Sequence, residues 1–220
     1  DYDSGRVLAE ANADERMEPA SLTKIMTAYL AFDALKEGRL KLDEEIPVSE
    51  HAWRSEGSRS FVQVGTRIPA EVLIKGMIVQ SGNDATIAIA ERLGGTEDAF
   101  AQMMNAYAQK LGMKNTHFDN STGLPGATHY TTARDMAILS QALWRDFPEY
   151  YHYFQTPSFS WRRGSARSHN RLIGSVEGVD GIKTGYTRAS GFNLATMAER
   201  DGRRVIVVVL GGDVENPRQA

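Results

Sequence analysis

Residues 19–37 constrain this chain more than any other stretch, because they read as a helix that is apolar nearly all the way round. Pro19 suits a first helical turn, where its missing N–H has no intrahelical partner, and Gly38 is a natural stop. Between them Leu22, Ile25, Met26, Tyr29, Leu30, Phe32 and Leu35 cover most of the circumference. Such a helix must be wrapped by other elements, so the rest of the chain has to supply its cover. Against that background Lys24 is out of place. It stands three residues after Ser21, and side chains at i and i+3 are neighbours on one helix face, so the amine can reach the hydroxyl. An ordinary explanation exists for each residue alone: serine caps helices and lysine snorkels. With 15 Ser and 7 Lys in 220 residues, Ser-x-x-Lys arises by chance about 0.5 times, so the pair needs partners.

A chain of 220 residues, 41% hydrophobic and 24% charged, can enclose a helix of this kind in one globular unit or two intimately packed ones. A formal charge of −3 gives no broad basic field and argues against nucleic acid as a partner. Arg162-Arg163 and Arg203-Arg204 are short basic runs, read as solvated strand ends. No apolar run approaches the roughly 18 residues that span a bilayer. The absence of cysteine excludes disulfides and thiol catalysis, and five histidines at 51, 117, 129, 152 and 169 show no metal-ligand spacing, so neither a metal nor a cofactor is expected. The chain opens on Asp1, and residues 2–6 read as a hairpin turn leading into a strand at 6–10; a partner strand and a leader are expected to lie before it.

Further along, 40–47 reads as a charged connector and 49–60 as a polar loop. Helices are expected over 72–79, from 83 or so to 93, and from Thr96 to Leu111, whose Phe100, Met103, Met104, Tyr107, Ala108 and Leu111 follow the helical period up to Gly112. Ser81-Gly82-Asn83 thereby falls on an inter-helix turn. Thr132 with Asp135 resembles a capping box for a helix over 133–144. Beyond Pro148 the pattern changes to strands: 159–161, 179–187, 192–199 and 205–210, with Asp201-Gly202 as a hairpin between the last two. The strand at 6–10 is expected to join this sheet to satisfy its backbone groups. The fold class is therefore α+β, an antiparallel sheet drawn from both chain ends around a mostly helical insert.

Lys183-Thr184-Gly185 lies on the strand 179–187 and arises by chance only about 0.04 times in such a composition. Ser-x-Asn is common, and Ser168-His169-Asn170 is a second copy, read as a decoy. The informative feature is the ordered set: Ser21-x-x-Lys24 on a buried helix, Ser81-Gly82-Asn83 on a helix turn, Lys183-Thr184-Gly185 on a strand. A neutral lysine can take a serine proton, and burial together with a second cation, Lys183, would lower the Lys24 pKa. Gly185 leaves a strand position bare, so that an extended peptide can lie against that edge.

This set, with Asp3-Ser4-Gly5, Thr116-His117-Phe118, residues 133–136 and the run 179–187, resembles the low-molecular-mass penicillin-binding proteins that act as D-alanyl-D-alanine carboxypeptidases. The resemblance covers nearly the whole chain. It implies a β-lactamase/transpeptidase-like fold over 1–220, with the C-terminal β-rich domain and amphipathic anchor helix of many members lying outside this sequence. It implies removal of the terminal D-alanine from peptidoglycan pentapeptides through an acyl-enzyme, acylation by β-lactam antibiotics, and a periplasmic or extracytoplasmic site in a bacterium, with the membrane reached only through a segment outside this sequence. The roles it implies are Ser21 as nucleophile, Lys24 as base, Ser81 as proton relay, Asn83 in orienting the substrate amide, Lys183 and Thr184 at the terminal carboxylate, and the N–H groups of Ser21 and Tyr186 as the oxyanion hole. A planar grip on the carboxylate calls for an arginine as well; Arg167 is placed ahead of Arg171, and Arg218 last. The alternatives are a DD-endopeptidase of the same fold, a serine β-lactamase and a non-catalytic penicillin sensor. The β-lactamase reading is set back because none of Glu91, Glu97, Glu149 or Glu177 has an Asn four residues on, and Gly82 stands where Ser-Asp-Asn would have Asp.

Overall fold

The computed structural model describes residues 1–162 and 164–213. A 3₁₀ turn, Ala20–Leu22, feeds helix α1, Thr23–Lys36, and together they occupy the expected helix. Strand β1 (Glu45–Pro47), helix α2 (Glu50–Trp53) and strand β2 (Arg67–Pro69) follow, then helices α3 (Ala70–Val79), α4 (Asn83–Gly94), α5 (Glu97–Leu111) and α6 (Ala133–Asp146). Strands β3 (Ser158–Trp161) and β4 (Gly164–Arg167) form a hairpin, and β5 (Val179–Thr187), β6 (Gly191–Arg200) and β7 (Arg203–Gly212) form an antiparallel sheet in that order.

Helix α1 is the hub. It is buried continuously from Thr23 to Phe32 and packs against α3, α4, α5 and α6. Leu22, Ile25, Met26 and Phe32 are sealed from solvent, each worth about 1.5–3 kcal/mol of burial. Phe32 lies 5.4–6.2 Å from the rings of Phe147, Tyr150, Tyr153 and Phe154, which follow α6. The capping signals act as the sequence suggests: Thr96 Oγ1 accepts the Ala99 N–H and Thr132 Oγ1 the Asp135 N–H. The reciprocal half of the capping box is not made. Asp135 accepts instead from the Asn115 N–H and the Thr116 hydroxyl, because that loop brings donors closer than a short carboxylate reaches back.

Three expectations are corrected by the structure. Residues 6–10 form no strand; the chain end is held by the Tyr2 N–H donating to the Arg204 carbonyl and by Gln141 Nε2 donating to that of Tyr2, while 6–10 stays exposed and its backbone can be solvated. The sheet is therefore drawn from the C-terminal part of the chain, with the N-terminal segment only touching it. Residues 40–60 are less irregular than a connector and loop, since β1 pairs with β2 and Ser49 caps α2. Arg204 is not a solvated strand end. It is 4% exposed, donates to both oxygens of Asp180 at 3.0 and 2.8 Å, and lies 3.6 Å over the Trp144 ring, clamping β5, β7 and α6 together. Arg162 sits in the exposed β3–β4 turn, and Arg163 lies outside the described residues.

In the described sheet β5 has β6 on one side only. Its other edge runs past the start of α1, where Asn193 Nδ2 donates to the Glu18 carbonyl at 3.0 Å and Thr187 Oγ1 donates to Glu18 Oε2 at 3.1 Å. Those bonds fix the head of the central helix against the sheet. The candidate site lies there.

Candidate active site

Ser21 sits in the 3₁₀ turn that opens the central helix, immediately after Ala20, whose φ of +49° is rare for a residue with a side chain. The turn is packed from two sides. A Cβ at Gly123 would fall 1.8 Å from the Ala20 carbonyl oxygen, and one at Gly185 would fall 2.8 Å from the Ser21 nitrogen, so both positions require glycine for close backbone approach. Strand β5 consequently lies directly against the N–H of Ser21.

Lys24 is 1% exposed, with Nζ 2.9 Å from Ser21 Oγ and donating to the Thr122 carbonyl at 2.9 Å. Burial pushes its pKa well below that of a free lysine, the Lys183 ammonium pushes the same way, and the Asp84 carboxylate partly opposes them. Lys183 is 3% exposed, donates to the Thr184 carbonyl at 3.0 Å, and is drawn down to about 7 by burial. Of the two lysines, Lys24 is the stronger candidate for a neutral amine.

Ser81, on the turn between α3 and α4, has φ +57° and is 2% exposed. Among the described residues its Oγ has no hydrogen-bond partner, and neither has Oδ1 of Asn83. Buried polar atoms are seldom left so. The Asn83 amide nitrogen is engaged, donating to the Glu56 carbonyl at 2.6 Å. The turn is roofed by residues 55–62, which Asp84 holds by accepting the Ser60 N–H at 2.7 Å and the Val62 N–H at 3.1 Å. Gly82 is required here as well, because a Cβ would fall 1.9 Å from Ser60 Oγ.

A cleft of about 740 Å³ joins these parts, walled by Ser21, Ser81, Thr184, Gly185, Tyr186 and Arg167 among others. Thr184 reaches the cleft because it alternates with Lys183: with Tyr186, its cross-strand neighbour Leu194, Phe192 and Val209 it lies on the one face of the sheet that forms this wall. Lys24, Lys183 and Asn83 lie behind the wall. Arg167 and Arg171 both line the cleft, whereas Arg218 lies outside the described residues. Ser168 and His169, set aside as a decoy triplet, are also in the wall. Sequence reasoning missed Ser58 of the roof, Thr122, Asn193 and His169; only for His169 was there a signal, its position between two arginines considered as carboxylate ligands.

Behind α1, His129 is 3% exposed, with Nε2 2.8 Å from Thr23 Oγ1 and Nδ1 accepting the Asp119 N–H at 3.1 Å. An acceptor at Nδ1 places the proton of the neutral ring on Nε2, which then donates to Thr23. Burial draws its pKa down to about 4. The unfolded chain binds this proton near 6.5 and the folded one only near 4, so stability falls as pH drops through that window, by about 3 kcal/mol in full. Urea unfolding of wild type and His129→Gln at pH 7, 5 and 4 checks this: the wild type should lose that much more than the variant, and parallel losses would refute it.

The sequence profile of the D-alanyl-D-alanine carboxypeptidase family matches residues 1–214. The D-alanyl-D-alanine carboxypeptidase DacC of Escherichia coli is 43% identical over 225 residues, spanning 99% of this chain and 56% of that protein. The chain thus spans little more than half the length of such curated relatives. Penicillin-binding protein 5 from Haemophilus influenzae superposes with a TM-score of 0.94 at 38% identity, over 97% of this chain and 64% of that one. The ampicillin-bound form of penicillin-binding protein D2 from Listeria monocytogenes gives 0.89 at 33% identity, over 97% and 87%. The architecture is accordingly the transpeptidase-like α+β fold.

Proposed function

This chain belongs to the D-alanyl-D-alanine carboxypeptidase family, and from that premise we propose that residues 1–220 form a serine DD-peptidase domain that removes the terminal D-alanine from peptidoglycan stem peptides. The observation that carries the reading is the 2.9 Å contact between Ser21 Oγ and a sealed Lys24 amine whose surroundings disfavour its charge. A serine hydroxyl is a weak nucleophile until a base takes its proton, and a neutral amine at hydrogen-bond distance is such a base.

The substrate lies extended along the open edge of β5, the side that β6 leaves unpaired. Ser21 Oγ attacks the carbonyl of the penultimate D-alanine while its proton passes to Lys24 Nζ. The developing oxyanion is held by the N–H groups of Ser21 and Tyr186, brought together by the close approach at Gly185. The peptide C–N bond breaks, the leaving D-alanine amine takes a proton relayed through Ser81 Oγ, and a water then cleaves the acyl-enzyme. The unpaired Oγ of Ser81 and Oδ1 of Asn83 suit a proton relay and an amide acceptor. Lys183 and Thr184 bind the terminal carboxylate, with Arg167 in the same wall supplying a planar donor. A bound carboxylate raises the Lys183 pKa and keeps that lysine cationic while Lys24 is neutral. β-Lactams acylate the same serine, as the ampicillin-bound form of the Listeria relative suggests. The domain acts on the extracytoplasmic face of a bacterial membrane, where its substrate is; among the described residues no helix is long and apolar enough to cross one.

Incubation with a peptide ending in D-alanyl-D-alanine is expected to release free D-alanine with steady turnover, faster than hydrolysis of penicillin. Cleavage of a cross-linked dimer with no D-alanine from the linear peptide would favour the endopeptidase, penicillin turnover the β-lactamase, and an adduct without peptide turnover the sensor.

A further inference from the structure

His169 stands in the cleft wall beside Arg167, Arg171 and Thr184, on the side where the proposed reading puts the substrate carboxylate. His169 is exposed and lines the cleft. We propose that His169 makes the grip on the terminal carboxylate pH-dependent, adding a cation to the carboxylate subsite when protonated and withdrawing it when neutral. This rests on the carboxypeptidase reading and adds to it a control of substrate affinity.

The charges that face this ring all have one sign. Desolvation by the surrounding protein disfavours the imidazolium most; Lys183 on β5 and Arg171 on its own segment add to it, as does Lys24 on α1 whenever that amine is protonated, so the empty site holds His169 below its ordinary pKa. An arriving carboxylate reverses the sign of the local field. It offsets the charge of Lys183 and gives the imidazolium a partner, so binding is coupled to uptake of a proton at the ring. Linkage makes the effect reciprocal: a carboxylate that raises the His169 pKa by about one unit is bound about tenfold more tightly by the protonated form. Arginine stays charged throughout this range, so Arg167 and Arg171 add a constant attraction. Lys183, drawn down to about 7, titrates in a neighbouring range, so the readout has to belong to the ring itself.

The experiment uses Ser21→Ala, which retains peptide without cleaving it, and follows the imidazole C2 proton of His169 by NMR, assigned by its loss in Ser21→Ala/His169→Gln. The ring is titrated free, with a peptide ending in D-alanyl-D-alanine, and with the C-terminal amide of that peptide. The acid peptide is expected to raise the His169 pKa by about one unit and the amide to leave it unmoved. The acid-over-amide affinity ratio, measured by calorimetry, should grow more on acidification with His169 present than in the Gln variant. An equal pKa with acid and amide, or an equal growth of the ratio with and without His169, overturns the proposal. Adduct formation by penicillin on the unmutated chain tests the parent reading separately: an adduct with an unmoved His169 removes only this inference, and no adduct removes both.

Discussion

Ser21→Ala is expected to lower D-alanine release by on the order of 10⁶-fold, the scale on which loss of the nucleophile disables other serine hydrolases. It should also abolish the covalent penicillin adduct, seen by intact mass as one added antibiotic per chain. The fold should persist. Ser21 Oγ bonds only to Lys24 in the described structure, and Lys24 keeps its bond to the Thr122 carbonyl when that oxygen is gone. The serine also sits in a turn fixed by backbone packing at Gly123 and Gly185, which alanine does not alter. A variant with an unchanged melting temperature and no adduct places the chemistry at Ser21. An adduct of the same mass in Ser21→Ala would mean that a different residue carries it.

Lys24→Arg is expected to cost about 10²- to 10⁴-fold in the rate of acylation, the usual contribution of a positioned base. Arginine keeps the positive charge but stays protonated, so it cannot accept the Ser21 proton. In the wild type the rate should rise with pH as Lys24, whose pKa is held well below normal by burial and by Lys183, loses its proton. Below that pKa the amine is an ammonium and has no lone pair to offer. The arginine variant should show no such rise. Because a larger cation at a site 1% exposed can destabilise the helix, Lys24→Gln serves as the second test. It removes the base without adding volume or buried charge, and it should be as slow. A folded variant of either kind that acylates at the wild-type rate would exclude Lys24 as the base. Lys183→Arg, by contrast, keeps a cation at the carboxylate end and should retain part of the activity.

The sequence by itself determined most of the elements and the polar runs that make up the candidate site. The all-round apolar character of 19–37 can be satisfied only inside a shell of helices, and the structure surrounds α1 with four of them. The caps at Thr96 and Thr132, the stop at Gly112 and the hairpin at Asp201-Gly202 are local backbone preferences, which is why they could be read without a partner in view. The three polar clusters were visible for a similar reason: each is a short run whose rarity or setting is a property of the chain.

What brings those runs together was not legible. Nothing local to residues 122, 123 or 185 tells that the Thr122 carbonyl holds Lys24 or that Gly123 and Gly185 close on the turn that carries Ser21, since these contacts join residues about a hundred or more positions apart. Arg204 looked like a solvated strand end because its neighbours in sequence are polar; its partners Asp180 and Trp144 come from other elements. The strand expected at 6–10 failed because a turn followed by an apolar run becomes a strand only where a neighbouring edge is in hydrogen-bonding reach, and among the described residues the backbone bond from the N-terminal segment to β7 is made at Tyr2. His169 is the sharpest instance. Its triplet has the same spacing as Ser81-Gly82-Asn83, and spacing alone cannot tell which copy faces the cleft. The tertiary fold puts both there, because Ser81 ends a buried helix turn while His169 hangs from the segment between the β3–β4 hairpin and β5, and the cleft is the gap between those two.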